Sequence, residues 1–122
     1  MDRAAIPAAY AARLTQRLAG QPVSSLADLF AEDARVERYV LGEPPRVYSG
    51  IEQIEESLLR LPPTGGSFHV HGVQVEGSTV HARFYTRDFP YPLSGLYRFE
   101  IDSGGQIAHL YISARYTPPR KP

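Results

Sequence analysis

Four histidines are the first residues of this sequence whose chemistry could serve a functional site: His69 and His71 in "FHVHGVQV", then His81 and His109. Histidine is a common metal ligand, and it can transfer protons because it titrates near neutral pH. No acidic residue stands at ligand spacing beside His69 and His71, and the sequence has no H-E-x-x-H motif, so we predict no metal site. Strand alternation places all four side chains on the outer face of a sheet, which favours an interface over a catalytic role.

A charged residue in the middle of an alternating strand is the second candidate. In "ARVERYV", Arg38 shares a face with the valines two residues away on either side. A guanidinium on a buried face needs a partner, because removing it from water unpaired is costly. The partner is either an internal acid, such as Glu43, Asp33 or one near Glu37, or an anionic or carbonyl-bearing ligand. A slip of one residue is the third alternative, with Tyr39 facing inward and Arg38 in solvent.

Tyrosine is the main aromatic residue, with eight copies and no tryptophan. Tyr97 shares a face with Phe99 and Ile101, which we interpret as the concave face of a sheet. Its hydroxyl either donates a hydrogen bond into a cavity or reaches the surface from the core. Tyr85 and Tyr111 have the outward parity and would suit a dimer interface, where such rings are enriched.

Composition narrows the class of protein. The 122 residues include 13 basic and 13 acidic side chains, so net charge does not drive binding to nucleic acid or a membrane surface. Cysteine is absent, which excludes disulfides, thiolate catalysis and cysteine metal sites. No apolar run is long enough to span a bilayer, and the N-terminal 20 residues lack the continuous apolar core of a signal peptide. We therefore expect a cytoplasmic protein.

The helices that position these residues are predicted in the first half of the chain. Residues 2–19 form one, and a second, short helix follows a cap at Ser24 or Ser25 and ends at Asp33. "IEQIEESLLRL" is a third helix, which Pro62 ends. The apolar stripes of the three helices are Ile6, Tyr10, Leu14 and Leu18; Leu26, Leu29 and Phe30; and Ile51, Ile54, Leu58 and Leu61.

Strands make up most of the remainder. "ARVERYV" and "RVY" form a pair joined by the turn "GEPP", and four antiparallel strands follow the third helix. Gly72 is a natural β-bulge, which would bring Phe68 and Val70 onto the same side as Val73 and Val75. Helices early and hairpins late indicate an α+β fold with the helices on one face of a curved sheet.

The order of four motifs, "LADLFAEDARVE", "YSGIEQIEESL", "VEGSTVHARF" and "YRFEIDSGGQIAHLYI", resembles the nuclear transport factor 2-like superfamily, which includes ketosteroid isomerase-like and SnoaL-like proteins. The resemblance implies one domain over residues 1–117, with 118–122 as a flexible tail. It implies a cone, in which a strongly curved mixed or antiparallel sheet wraps around about three N-terminal helices and leaves a cavity at its open end. It also implies homodimers that pair through the outer sheet face.

The isomerase branch of that superfamily uses a carboxylate base on the first strand, with a tyrosine on the first helix and a second acid that hold the enolate oxygen. When the motifs of this sequence are aligned with those of the isomerases, the base position falls on Arg38 and the second-acid position on Gly95. The tyrosine position falls near Arg13 or Leu14, and Tyr10 lies about a turn earlier. Arginine does not give up its proton near neutral pH, so it cannot act as that base. The isomerase mechanism is therefore not carried over.

We predict a small-molecule-binding protein of the SnoaL-like type that uses no cofactor. Its ligand is mostly hydrophobic with one polar or anionic group, and any reaction is an isomerisation, cyclisation or lyase step with no assigned catalytic residue. The alternative is a non-catalytic dimerisation or binding scaffold, which the missing acids favour. The predicted pocket residues are Tyr10, Leu14, Arg38, Phe84, Tyr97, Leu110, Ile112 and Ala114.

Overall fold

The computed structural model describes residues 1–22, 26–89 and 92–117. Within them lie two α-helices, six strands, and two 3-10 turns at Arg3–Ala5 and Leu26–Asp28. The predicted cap at residues 24–25 and the predicted tail at 118–122 lie outside the described residues. The elements are α1 (Ile6–Leu18), β1 (Phe30–Val40), β2 (Arg46–Ser49), α2 (Ile51–Leu59), β3 (Ser67–Glu76), β4 (Thr79–Arg87), β5 (Leu93–Ile101) and β6 (Ile107–Tyr116).

The six strands form one mixed sheet in the order β2-β1-β6-β5-β4-β3. All neighbours are antiparallel except β1 and β6, which run parallel. The helices cover one face: α1 packs against β3, and α2 against β1 and β2. This is the α+β architecture that the order of elements predicted, with an open cavity side bounded by both helices.

Helix α1 begins one turn later than predicted, after the 3-10 turn, and Pro7 occupies its first turn, where a missing N–H costs no hydrogen bond. Ile6, Tyr10 and Leu18 are buried along one face. At its end, the Arg17 guanidinium donates to the carbonyl oxygens of residues 59 and 61, both at 2.8 Å. Those carbonyls belong to the C-terminal end of α2, so Arg17 ties the two helices together and satisfies oxygens that have no partner within α2.

The second predicted helix is wrong, and this accounts for two α-helices in place of three. Only a 3-10 turn forms at Leu26–Asp28, and β1 has begun by Phe30. The Leu29 carbonyl accepts from the Ile107 amide at 2.7 Å, and Phe30 pairs with Ile107 across to β6. Pairing with β6 leaves Phe30 only 1% exposed, whereas an isolated helical turn carries a nucleation cost that its few hydrogen bonds do not offset.

The bulge predicted at Gly72 is confirmed. Pairing of β3 with β4 shifts register between His71 and Gln74, and Gly72 has a φ of 62°, which a residue without a Cβ adopts readily. After the shift, Val75 pairs with Val80, which is fully buried on the same face as the inward residues of β4. The bulge therefore puts Val75 on the same side as Phe68 and Val70, although Val75 is 44% exposed.

Within the described ranges no helix is long and apolar enough to cross a membrane; the longest, α1, has 13 residues.

Candidate functional site

A cavity of about 370 Å³ opens between the two helices and the inner face of the sheet. Seven of the eight predicted pocket residues line it: Tyr10, Leu14, Arg38, Phe84, Tyr97, Ile112 and Ala114. The eighth, Leu110, is fully buried one pair further along β6, between Val36 and Phe99, and belongs to the core beneath the cavity. Strand alternation gave Leu110 the right face, but parity alone does not tell how far along a strand a cavity extends.

Arg38 projects into the cavity. It lies opposite Ile112 of β6 and opposite Arg46 of β2. Tyr39, its neighbour, is 42% exposed on the other face, so the alternative of a one-residue slip is wrong. The Arg38 guanidinium lies 3.2 Å from a carboxylate oxygen of Glu43, with 28% and 26% of the two side chains exposed. The internal acid is therefore present, and Arg38 still contributes to the cavity wall.

The floor of the cavity is aromatic. The Tyr97 ring stacks on Phe84 at 4.2 Å between centroids and meets Tyr10 edge-on at 5.5 Å. Burial raises the pKa of both tyrosine hydroxyls, against a smaller lowering by the positive charge of Arg38. Both hydroxyls therefore stay protonated at any ordinary pH and can act as hydrogen-bond donors toward an oxygen in the cavity.

Arginine dominates the charge of the cavity wall. Arg13, Arg38, Arg46 and Arg60 line it, and Glu43 is the one carboxylate among the described lining residues. Arg38 and Arg46 stand directly opposite each other on one face of an antiparallel pair, a placement that destabilises the sheet unless an anion lies close by.

Arg13 is held only loosely by its neighbours. Its Nε is buried without a hydrogen-bond partner, and its terminal nitrogen lies 3.9 Å from the mostly exposed Asp28 carboxylate. From the sequence, Arg13 was predicted only as a mismatch to a tyrosine, and its place in the cavity was missed. Helical spacing could have found it, because Tyr10 and Arg13 are three residues apart and so share a face of α1.

Glu43 sits at the mouth of the cavity, in the turn that joins β1 and β2. The Glu43 amide donates to the Val40 carbonyl at 2.9 Å, and Gly42 before it has a φ of 89°. The Tyr116 hydroxyl donates a hydrogen bond to the second carboxylate oxygen. Hydrogen bonds from Tyr116 and then from Arg38 hold the pKa of Glu43 below its usual value, against the effect of burial, so the group is ionised at neutral pH.

Comparison with known proteins adds the family. The model of the SnoaL-like domain matches residues 11–110. The chain belongs to the SnoaL-like domain family. A search of curated proteins finds no match.

Solved structures show the same fold for this SnoaL-like domain. A candidate ketosteroid isomerase from Kribbella flavida has a TM-score of 0.68 at 17% identity, covering 97% of this chain and 79% of its own. A candidate polyketide cyclase from Sinorhizobium meliloti has a TM-score of 0.64 at 23% identity, covering 88% and 92%. A candidate SnoaL-like polyketide cyclase from Jannaschia sp. has a TM-score of 0.65 at 15% identity, covering 93% and 90%. These likenesses show that the chain has the cone fold of nuclear transport factor 2-like proteins, as the sequence predicted.

At position 95 the SnoaL-like domain has no room for any side chain. A Cβ built on Gly95 would lie 2.0 Å from the Ser113 carbonyl oxygen and 2.7 Å from the Ala114 Cα, both backbone atoms of β6. The second acid of the isomerase pattern is thus absent for a steric reason, because β5 and β6 approach too closely there. Arg38 fills the base position and the tyrosine position falls near Arg13 or Leu14, so none of the three isomerase groups is matched.

The histidines of the SnoaL-like domain lie on the convex face, the side of the sheet away from the helices, as predicted. His109 forms a 2.5 Å contact with Glu37 and stacks on Tyr111, whose ring carries the Arg98 guanidinium at 3.9 Å. His69 stacks on Tyr85 at 5.1 Å. In the part of the chain that is described, no three histidine, aspartate or glutamate side chains come close enough together to hold a metal ion.

Proposed function

We propose that the cavity binds a small, mostly hydrophobic molecule that carries one polar or anionic group. The observation that carries this proposal is an aromatic and aliphatic cavity with an excess of three positive charges in its described wall, in a chain whose net charge is zero. Its volume, about 370 Å³, is at the lower end of ordinary ligand sites. Apolar walls supply affinity, and a guanidinium fixes the orientation of one oxygen-bearing group.

A thermal-shift screen of aromatic acids, steroids and polyketide-like compounds tests the proposal. A ligand that binds only the folded chain stabilises it by about 2.7 kcal/mol at a concentration 100 times its Kd. Leu14→Trp would fill the cavity and should abolish the shift. Leu59→Trp is the matched control, since Leu59 is 62% exposed and does not line the cavity. A panel without any stabilising compound, or a shift that survives Leu14→Trp, contradicts the proposal.

The groups in the cavity fit isomerisation, cyclisation or elimination on a carbonyl compound without a cofactor. Tyr10 and Tyr97 would donate hydrogen bonds to a carbonyl oxygen, which stabilises the charge that develops when a neighbouring proton leaves. Glu43 would accept that proton, although its lowered pKa makes it a weak base. Exchange of the α-protons of 1-tetralone in heavy water, followed by NMR, tests this: the wild type should accelerate exchange, and Tyr97→Phe should slow it. Equal rates would refute the proposed chemistry.

A non-catalytic scaffold is the second candidate function. Two observations favour it: Arg38 already has a partner in Glu43, and position 95 cannot carry an acid. A chain that only binds would give thermal shifts without any exchange of ligand protons, and one that only dimerises would give neither.

We further propose that the protein forms a homodimer through the convex face. This face carries apolar and aromatic side chains that are exposed, with Leu96 at 54% and Tyr39 at 42%, and charges of both signs, such as Arg98 and Glu37. A surface that combines exposed apolar and aromatic side chains with charges of both signs can pair with a copy of itself. Light scattering should give twice the chain mass for the wild type and the monomer mass for Leu96→Glu. Leu59→Glu, on α2, is the matched control and should leave the dimer intact.

The remaining proposals concern the setting of the protein. We place it in the cytoplasm, because a cysteine-free chain has no need of an oxidising compartment. Its balanced charge argues against nucleic acid or a membrane surface as a partner. Fractionation of cells that express the native gene would test the location.

A further inference from the structure

Glu43 presents a carboxylate to the cavity from a turn rather than from the body of the sheet. Its neighbours Leu41 and Pro44 are exposed, and backbone hydrogen bonds from Glu43 to Val40 and from Leu41 to Ala114 hold the turn. One carboxylate oxygen contacts Arg38 at 3.2 Å and the other accepts from Tyr116. The contact with Arg38 is through one guanidinium nitrogen, so the two-pronged geometry that arginine can offer a carboxylate is unused.

The arginines around Glu43 outnumber it. Arg38 and Arg46 face each other across the β1–β2 pair, and the negative charge of Glu43 acts on both. The Glu43 carboxylate offsets the repulsion between the Arg38 and Arg46 guanidinium groups. Arg13 and Arg60 line the same wall, and no further carboxylate among the described lining residues neutralises them. The described wall therefore holds one negative and four positive side chains, and its positive charge could bind a further anion.

We infer that Glu43 occupies the place of a ligand carboxylate on Arg38, so that the ligand of the cavity is a carboxylic acid that binds by displacing this side chain. The inference rests on the proposed binding of a small molecule and specifies its ligand class; for a carboxylic acid that displaces Glu43, it replaces the role of Glu43 as a base. Displacement breaks the hydrogen bond from Tyr116 and the contact with Arg38, and in exchange the released carboxylate of this exposed turn regains water. The incoming carboxylate gains the same guanidinium and, unlike Glu43, brings an apolar body that the aromatic floor can bury.

A tethered competitor has a definite signature: removing it tightens the binding of carboxylates and leaves neutral analogues unaffected. The probes are 2-naphthoate and its neutral isostere 2-naphthamide, titrated by calorimetry against the full chain. Glu43→Gln should bind naphthoate about two- to fivefold more tightly than the wild type, the range expected for losing one partly exposed ion pair. Glu43→Ala, which leaves no acceptor for Arg38, should tighten binding at least as much. Naphthamide affinity should stay within twofold throughout.

Two controls separate displacement from a general change of charge. Glu55→Gln removes the same charge from α2, at a residue outside the cavity wall, and should leave naphthoate affinity unchanged. In an Arg38→Met background, Glu43→Gln should no longer tighten naphthoate binding, because the shared guanidinium is gone. Thermal melts of each variant show whether it is folded. If Glu43→Gln does not fold, Glu43→Ala alone tests the inference.

Naphthoate affinity that is equal in the wild type and both Glu43 variants overturns the inference and leaves the cavity proposal standing. If Glu43→Gln still tightens naphthoate binding in the Arg38→Met background, the inference is also overturned, since the negative charge of Glu43 would then act on the ligand without competing for Arg38. If naphthamide binds and naphthoate does not, the ligand is not a carboxylic acid, while the proposal of a ligand-binding cavity stands. If neither these probes nor the wider panel binds any variant, the proposed function itself fails.

Discussion

Replacing Gly95 with alanine tests the steric argument on which the functional reading of the sheet depends. Real Cβ atoms do not approach backbone atoms within 3.0 Å, yet at Gly95 the new atom would lie 2.0 Å from the Ser113 oxygen and 2.9 Å from the Ser113 carbonyl carbon. These are backbone atoms, which cannot rotate aside as a side chain can. Strands β5 and β6 would have to separate by at least about 1 Å at this point.

The cost of that separation can be estimated from two contributions. Overpacking a closely packed interior costs about 1–3 kcal/mol. The ladder hydrogen bonds next to Gly95 would weaken as well, at about 0.5–1.5 kcal/mol each. We expect Gly95→Ala to lower the free energy of unfolding by about 3 kcal/mol, which for a chain of this size corresponds to about 10 °C in Tm. Urea and thermal unfolding followed by circular dichroism measure both quantities.

Gly104→Ala is the matched control. Gly104 lies in the exposed turn between β5 and β6, and its Cβ would meet only a side-chain oxygen of Asp102 at 3.4 Å. Its effect should remain within about 0.5 kcal/mol. If Gly95→Ala is as mild as Gly104→Ala, the close approach of the strands is incorrect, and the steric reason for the missing acid at position 95 falls with it.

Three further predictions concern the rest of the chain. Hydrogen bonds from Tyr39 and His109 lower the pKa of Glu37, so Glu37→Gln should destabilise the protein above pH 4.5, and the difference from wild type should vanish as the pH falls through the lowered pKa, as urea unfolding across pH 3–7 would reveal. Arg17→Met should lower Tm by about 4 °C relative to wild type, because two carbonyls at the end of α2 lose their donor, whereas an unchanged Tm would exclude this link between the helices. Phe84→Leu should cost about 1 kcal/mol of unfolding free energy and move the near-ultraviolet circular dichroism of tyrosine, since its stack on the cavity floor is lost; an unchanged spectrum would contradict that stacking.

Local periodicity predicted most of the fold, and non-local pairing explains where it failed. The alternation around Arg38 gave the correct face because β1 is paired on both sides, so its register is fixed by two neighbours. The bulge at Gly72 followed from a residue type that favours positive φ. The prediction of a helix at Leu29 and Phe30 was wrong, because the apolar spacing of this segment suits one turn of helix as well as a strand. Only β6, nearly 80 residues away, decides between them.

The cavity was predicted from parity, but its charge was not. Residues that alternate on a strand can be assigned to a face, so Phe84, Tyr97 and Ile112 were predictable as inward. Arg46 and Arg60 were not, since each lies at the edge of an element where the sequence gives no period to fix its direction. Glu43 was identified as one of several acids that could pair with Arg38, and only the geometry of the β1–β2 turn selects it.

The residue type at position 38 decides between proton abstraction and anion binding in the cavity. A carboxylate there would give a base in an aromatic pocket, whereas a guanidinium removes that base and creates an anion site at the same point in space. The surrounding residues agree with the second outcome: the register partner is Arg46, the helix above contributes Arg13, and position 95 is closed to any acid. Changing Arg38 to glutamate alone would therefore place a carboxylate among arginines, where its pKa would be lowered and its basicity lost, rather than restore an isomerase.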